Sequence, residues 1–324
     1  MSHSAPDRHK RIENALLSLE GLALGDAFGQ CFFLPEETAF SLIDSRMLPD
    51  RPWYYTDDTV MAIGVVETLR KFGAIDRDYL AQAFAQNYQQ EPDRGYGSTA
   101  RKILREIGKG ISWQEASGSA FDGMGSMGNG AAMRSAPIGA YFFDDYQRVV
   151  AEAKAASEVT HSHAEGQAGG IAVAVAAAYC ARNQSPDVNG FELLENTVRL
   201  TPESETKSRL KQALFMAYPA NIEYVIRCLG NGKKLCSFDT VPIALWLAAH
   251  NLDDFSEAIW QAVNVLGDRD TICAIVGSLV SLVTGREKLP QSWLECRETL
   301  AISVNLEVPL TKSKDYSSER EKRK

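Results

Sequence analysis

The sequence lacks any apolar run of the ~20 residues that a bilayer crossing requires; its longest, at 169–180 and 271–283, stop short of it. No membrane span is expected. It also lacks a C-x-x-C pair, because its six cysteines (Cys31, Cys180, Cys228, Cys236, Cys273 and Cys296) are scattered. That excludes the paired spacing of a zinc site or a dithiol redox centre, and the apolar surroundings of most of them predict buried thiols rather than disulfides. Positive charge is in the minority, with 34 Lys and Arg against 42 Asp and Glu and a net charge of -8. This is the wrong sign for a protein that grips nucleic acid through its phosphates. The basic stretch 312–324, with six Lys or Arg against three Asp or Glu, reads as a solvated end. The first fourteen residues are polar and lack the apolar core and cleavage site of a secretory signal, so a cytoplasmic protein is expected.

Strand alternation bounded by turn residues is nearly absent, and helical period takes its place. Phe255, Ala258, Ile259, Ala262, Val263 and Leu266 fall on one helical face, as do Leu80, Ala83, Phe84 and Tyr88. Leu210, Ala213, Leu214 and Ala217 repeat the spacing before Pro219 stops it. The stretch 169–181 is apolar all round and rich in alanine, which predicts a central helix enclosed by others. Without a long Pro, Gly or Ser linker or a solenoid repeat, one compact all-α domain over 10–305 is expected, with 1–9 and 306–324 as polar, frayed ends.

Two acidic clusters stand at expected helix starts. Thr56-Asp57-Asp58-Thr59 leads into Val60-Met61-Ala62-Ile63, and Asp268-Arg269-Asp270-Thr271 leads into Ile272-Cys273-Ala274. Either alone is explained by helix capping and the helix dipole. Together they hold more carboxylates than caps need, at the ends of helices that must be buried, where unpaired charge is costly. Hard divalent cations would neutralise them: magnesium, manganese or calcium suits an all-oxygen donor set, whereas zinc prefers His or Cys.

The glycine-rich stretch 121–134 formally contains G-x-G-x-x-G at 123–128. No strand precedes it and no parallel-strand pattern follows, so a dinucleotide-binding fold is excluded. Glycines opening a helix near Ala131 can still turn backbone N–H groups toward a phosphate, or can simply form a tight turn at Asn129-Gly130. Thr160-His161-Ser162-His163 has no third His or Cys motif to complete a zinc site; a ligand contact, or capping by Thr160 or Ser162, is expected.

These motifs in this order resemble the ADP-ribosylglycohydrolase family, which includes dinitrogenase reductase-activating glycohydrolase. The carrying residues are 21–29 (GLALGDAFG), Thr56 to Thr59, 128–137 (GNGAAMRSAP), Thr160-His161 and Gly267 to Thr271. The resemblance implies an all-helical fold with two divalent cations, Mg2+ or Mn2+, in a central cleft. It implies metal ligands at Thr56, Asp57, Asp58, Asp268, Asp270 and Thr271, with Asp57, Asp58, Asp268 and Asp270 catalytic. It implies substrate contacts at Gly125, Ser126, Met127, Gly128, Asn129, Gly130 and His161, the first six along the diphosphate of ADP-ribose and His161 near the ribose. Phe33 stands where the family usually has a metal-side glutamate, with Glu36 and Glu37 just beyond, and Arg269 where threonine is common. The activity expected is metal-dependent hydrolysis of the glycosidic bond between ADP-ribose and an acceptor, with ADP-ribosyl-arginine on protein favoured. The alternatives are a catalytically silent ADP-ribose-binding relative and a two-metal phosphoester hydrolase. The expected partner is an ADP-ribosylated protein or small-molecule conjugate, with no membrane and with nucleic acid only as a modified substrate.

Overall fold

The computed structural model describes residues 7–185 and 188–302. These form sixteen α-helices and no strand, with isolated bridges at Trp53–Arg297 and Gly128–Cys236. In order they are α1 (Arg8–Gln30), α2 (Glu36–Asp44), α3 (Asp57–Phe72), α4 (Arg77–Gln90), α5 (Ser98–Gly108), α6 (Trp113–Gly118), α7 (Ala136–Tyr141) and α8 (Tyr146–Glu158). The second half contains α9 (Ala164–Arg182), α10 (Gly190–Leu200), α11 (Glu205–Leu214), α12 (Ile222–Leu229), α13 (Ser237–Ala249), α14 (Phe255–Val263), α15 (Arg269–Thr284) and α16 (Gln291–Leu294). The all-helical expectation holds, and one hydrophobic core joins nearly all these elements. Among the described residues no helix is long and apolar enough to cross a membrane.

Helix α9 is the expected central helix. Every residue from Ala168 to Ala181 is buried, and α7, α8, α10, α13 and α15 surround it. The periodic segment at 80–88 lies in α4, and that at 210–217 falls in α11 only as far as Leu214, because the chain leaves the helix at Phe215, before Ala217. Three further boundaries differ from expectation. Helix α14 ends at Val263 because the chain turns left-handed at Leu266 (φ 55). The glycine-rich stretch opens only a 3-10 turn at Asn129–Ala131, and the following α-helix waits for Ala136 and Pro137. Helix α1 starts at Arg8, before the expected domain boundary at residue 10, because the Asp7 side chain caps it by accepting from Lys10 N. The ends 1–6 and 306–324, and the expected boundary at 305, lie outside the described residues. The cysteines are free thiols, but only Cys180 and Cys273 are fully buried; the others are partly exposed.

The packing that builds the site is α1 against α15. Gly21, Gly25 and Gly29 repeat every four residues along one face of α1, and a Cβ at any of them would collide with α15. At Gly25 it would fall 2.1 Å from the Cys273 carbonyl oxygen, and at Gly29 2.4 Å from that of Arg269. The stripe lets the two backbones touch, running antiparallel, so the end of α1 meets the start of α15. Alanine at Gly25 would gain about 1 kcal/mol of helix propensity. Its methyl group, however, lands on a backbone carbonyl that cannot swing aside, so Gly25→Ala is expected to destabilise by about 1–3 kcal/mol net in denaturant titration. A variant as stable as the wild type would show that α1 and α15 have slack between them.

Candidate active site

Asp26 lies on α1 between Gly25 and Gly29 and is 0% exposed. Its carboxylate accepts four hydrogen bonds from the start of α3: Thr56 N (2.9 Å), Thr56 Oγ1 (2.9 Å), Thr59 N (3.1 Å) and Thr59 Oγ1 (2.5 Å). These bonds fix the α3 N-terminus beside α1, as the glycine stripe fixes that of α15. Two helix N-termini therefore bring Asp57 and Asp58 to the same place as Asp268 and Asp270. Asp57 is also held through its backbone, which donates to the Arg94 carbonyl at 2.7 Å.

The electrostatics of this cluster are unfavourable as it stands. Burial first, then the charge of Asp270, pushes Asp26 up to about 7 against its hydrogen bonds to Thr56 and Thr59. Burial, Asp270 and Asp26 push Asp57 up to about 8. Asp58 and Asp268 are raised well above the ordinary carboxylate range, by burial first and then Asp270, and burial raises Asp270 too. Asp58 is 2% exposed, and its Oδ2 is buried without a partner. Asp268 and Asp270 each shift the other, and two neighbouring carboxyl groups of this kind are relieved by a proton or a cation between them. Among the described residues no three His, Cys, Asp or Glu side chains already stand as a closed ligand cluster. The donor chemistry nevertheless fits hard divalent cations: the set is all oxygen, one oxygen is orphaned, and the mutual repulsion is of the kind a cation relieves.

The glycine-rich stretch forms the opposite wall. Gly125 is left-handed (φ 79), and a Cβ there would meet Ser162 Oγ at 2.2 Å. Gly128 N donates to Ser126 Oγ (3.1 Å) and Asn129 N to Leu235 O (3.1 Å), so the loop offers fewer free backbone donors than its glycine content suggests. The Asn129 side chain joins the two halves of the site, since its Nδ2 donates to Asp268 Oδ2 (2.6 Å) and Thr240 Oγ1 (3.0 Å). Between the walls is a cleft of about 500 Å3, lined by Asp57, Asp58, Asp268, Asp270 and Thr271, by residues 125–130, and by Arg134 and His161. Met61, Ile103, Phe121, Met124, Met133 and Leu235 add an apolar surface. This is ordinary for a small-molecule site, mostly apolar with a few convergent polar groups.

The structure thus brings together all but one of the expected site residues. Thr56 is the exception: its hydroxyl donates to Asp26 and accepts from Asp58 N at 3.3 Å, as the cap of α3, and it does not line the cleft. Capping explains Thr56 but not Asp268, whose side chain caps nothing on α15. Neither Thr160 nor Ser162 caps α9; His163 does, accepting from Glu165 N at 3.0 Å. Two residues had no role assigned from sequence, Asp26 and Arg134. The sign that Asp26 matters is a lone carboxylate inside the apolar run 21–29, on a face that cannot reach water. Arg269 is buried, does not line the cleft, and sits 5.3 Å over the ring of Phe33. The two departures from the family pattern therefore contact each other, as a cation–π pair beside the acidic cluster.

A family model described as ADP-ribosylglycohydrolase matches residues 5–312. The mouse ADP-ribosylhydrolase ARH3 is 27% identical over 321 residues, covering 86% of each chain. The ADP-ribosylarginine hydrolase Tri1 of Serratia proteamaculans is 26% identical over 298 residues, covering 88% of this chain and 75% of the other. A solved structure, an ADP-ribosylglycohydrolase-related protein complex, shares the fold with a TM-score of 0.64 at 23% identity, covering 90% of this chain and 94% of the other. With the match running over nearly the whole length, including both acidic helix starts and the glycine-rich wall between them, the chain belongs to the ADP-ribosylglycohydrolase family, a family of glycosidic-bond hydrolases.

Proposed function

We propose that the protein is a divalent-cation-dependent hydrolase of the bond between ADP-ribose and an acceptor, with ADP-ribosyl-arginine on protein the favoured conjugate, acting in the cytoplasm. The observation that carries this is the Asn129 amide bonded to Asp268, because it makes the glycine-rich wall and the acidic cluster one site. A diphosphate along residues 125–130 then extends its ribose toward the carboxylates. Asp57, Asp58, Asp268, Asp270 and Thr271 would hold two cations, Mg2+ or Mn2+, while Thr56, bonded to Asp26 and Asp58 N, fixes the start of α3 behind them. When bound, these supply Lewis acidity to the ribose oxygens and lower the pKa of water. The carboxylates themselves stabilise the positive charge that develops at the anomeric carbon. A carboxylate oxygen left out of ligation takes the proton of the attacking water.

Free ADP-ribose is expected from ADP-ribosyl-arginine in the presence of magnesium or manganese, falling to background with chelator and returning when the cation is restored. Release that ignores the chelator would sink the metal-dependent reading. A second reading is favoured by Phe33, which puts a ring, paired with Arg269, where the family carries a carboxylate. It describes a relative that binds ADP-ribose without turning over, and it predicts saturable binding with no release on long incubation.

A further inference from the structure

Behind the glycine-rich wall, three buried side chains form a relay with one open end. Arg134 is 1% exposed and lies 4.6 Å over the ring of Phe84. Its Nη1 donates to Gly130 O (2.7 Å), and its Nη2 donates to Ala156 O (3.1 Å) and Thr160 Oγ1 (2.8 Å). Thr160 Oγ1 in turn lies 2.7 Å from His161 Nδ1. A guanidinium can only donate, so Thr160 Oγ1 accepts from Arg134 and keeps its own proton for the other neighbour. Among the described residues the hydroxyl makes no further hydrogen bond, which leaves Nδ1 of His161 as the acceptor. Nδ1 is therefore bare, and the single proton of the neutral ring sits on Nε2. Burial and the neighbouring Arg134 charge favour that neutral form. Among the described residues Nε2 has no hydrogen-bond partner, and a Cβ at Gly128 or Gly130 would approach it to 3.3 or 3.4 Å. The ring edge thus faces the glycine wall at the cleft.

We propose that Arg134 and Thr160 are positioning residues that lock His161 as an Nε2–H donor aimed across Gly128 and Gly130 at a ligand oxygen where the diphosphate meets the ribose. The donor supplements a loop in which the N–H groups of Gly128 and Asn129 are already engaged. Arg134 serves both parts, since one guanidinium holds the Gly130 carbonyl and the Thr160 hydroxyl. The inference rests on the ADP-ribose reading for the ligand alone; the tautomer belongs to the free protein.

The test is a long-range proton–nitrogen correlation spectrum of the full chain labelled in histidine, paired with calorimetric titration of ADP-ribose. The wild type is expected to show His161 protonated at Nε2 and bare at Nδ1 throughout about pH 5 to 8. Thr160→Val keeps the side-chain shape without the hydroxyl. It is expected to mix the tautomers and weaken ADP-ribose binding roughly tenfold, the worth of one hydrogen bond to a charged group. Thr160→Ser is expected to restore both. A wild-type spectrum with Nδ1 protonated overturns the proposal, and so does a Thr160→Val protein with unchanged tautomer and affinity. Should Thr160→Val not fold, the wild-type spectrum and Thr160→Ser decide. The stated tautomer in a wild type that binds no ADP-ribose would sink the ADP-ribose reading and leave the relay standing.

Discussion

Alanine at Asp57 or at Asp270 is expected to lower kcat/KM on ADP-ribosyl-arginine by about a thousandfold or more, with no loss of stability. Stabilisation of developing charge by a carboxylate-bound cation amounts to several kcal/mol, and about 4 kcal/mol corresponds to that factor. Stability should hold because each substitution removes one charge from a buried set that repels itself. Asp26 makes the contrast. Its carboxylate satisfies two backbone N–H groups and two hydroxyls at the start of α3, and Asp26→Ala would strand all four at a cost of about 1–3 kcal/mol for each donor left unsatisfied. Loss of activity at Asp26 would therefore arrive with loss of fold, whereas at Asp57 and Asp270 it arrives alone. Product release measured beside thermal unfolding separates the cases. Either alanine variant retaining activity within about tenfold of the wild type would remove these carboxylates from the reaction.

How much of this the sequence discloses depends on the range of each interaction. Helices α4 and α9 and the body of α11 are legible because burial of one face, or of all faces for α9, writes a period into neighbouring residues. The acidic clusters are legible for a similar reason, as each holds more carboxylates within four residues than a helix start can use. The α14 end and the 3-10 turn at Asn129–Ala131 are not legible because a left-handed Leu266 and a delayed helix at Pro137 leave no periodic trace. Asp26 and Arg134 are illegible in a stronger sense. The partners of Asp26 lie thirty and thirty-three residues away, and Arg134 reaches twenty-six residues ahead to Thr160. Neither spacing belongs to a local pattern. The pairing of Arg269 with Phe33 joins residues far apart in the sequence, so each departure from the family pattern is visible in sequence while their contact is visible only in the fold.

In chelator, the protein is expected to lose thermal stability as pH rises from about 5 to 8, and a divalent cation should abolish most of that loss at the upper end. The folded chain holds Asp26 up to about 7 and Asp57 up to about 8, against ~3.9 for an aspartate in an unfolded chain. Between those values the native state binds more protons than the unfolded state, so stability falls as pH rises through the window, and the loss is complete above the folded values. A net of about 3 kcal/mol, roughly two pKa units spread over the cluster, corresponds to a change in Tm on the order of 5 °C for a chain this size. Millimolar magnesium or manganese binds only the ionised carboxylates, so it should raise Tm strongly near pH 8 and little near pH 5. The net charge of -8 would also weaken the fold as pH rises, and Asp58→Asn separates the two causes. It leaves the overall charge nearly unchanged but relieves a carboxyl of the cluster that is only 2% exposed and whose Oδ2 has no partner. In chelator that variant should be more stable than the wild type at pH 8 and show a flatter dependence on pH. A wild type whose Tm is flat or rises over this range, or an Asp58→Asn protein with the wild-type slope, would mean that the carboxylates are ionised and tolerated without a cation.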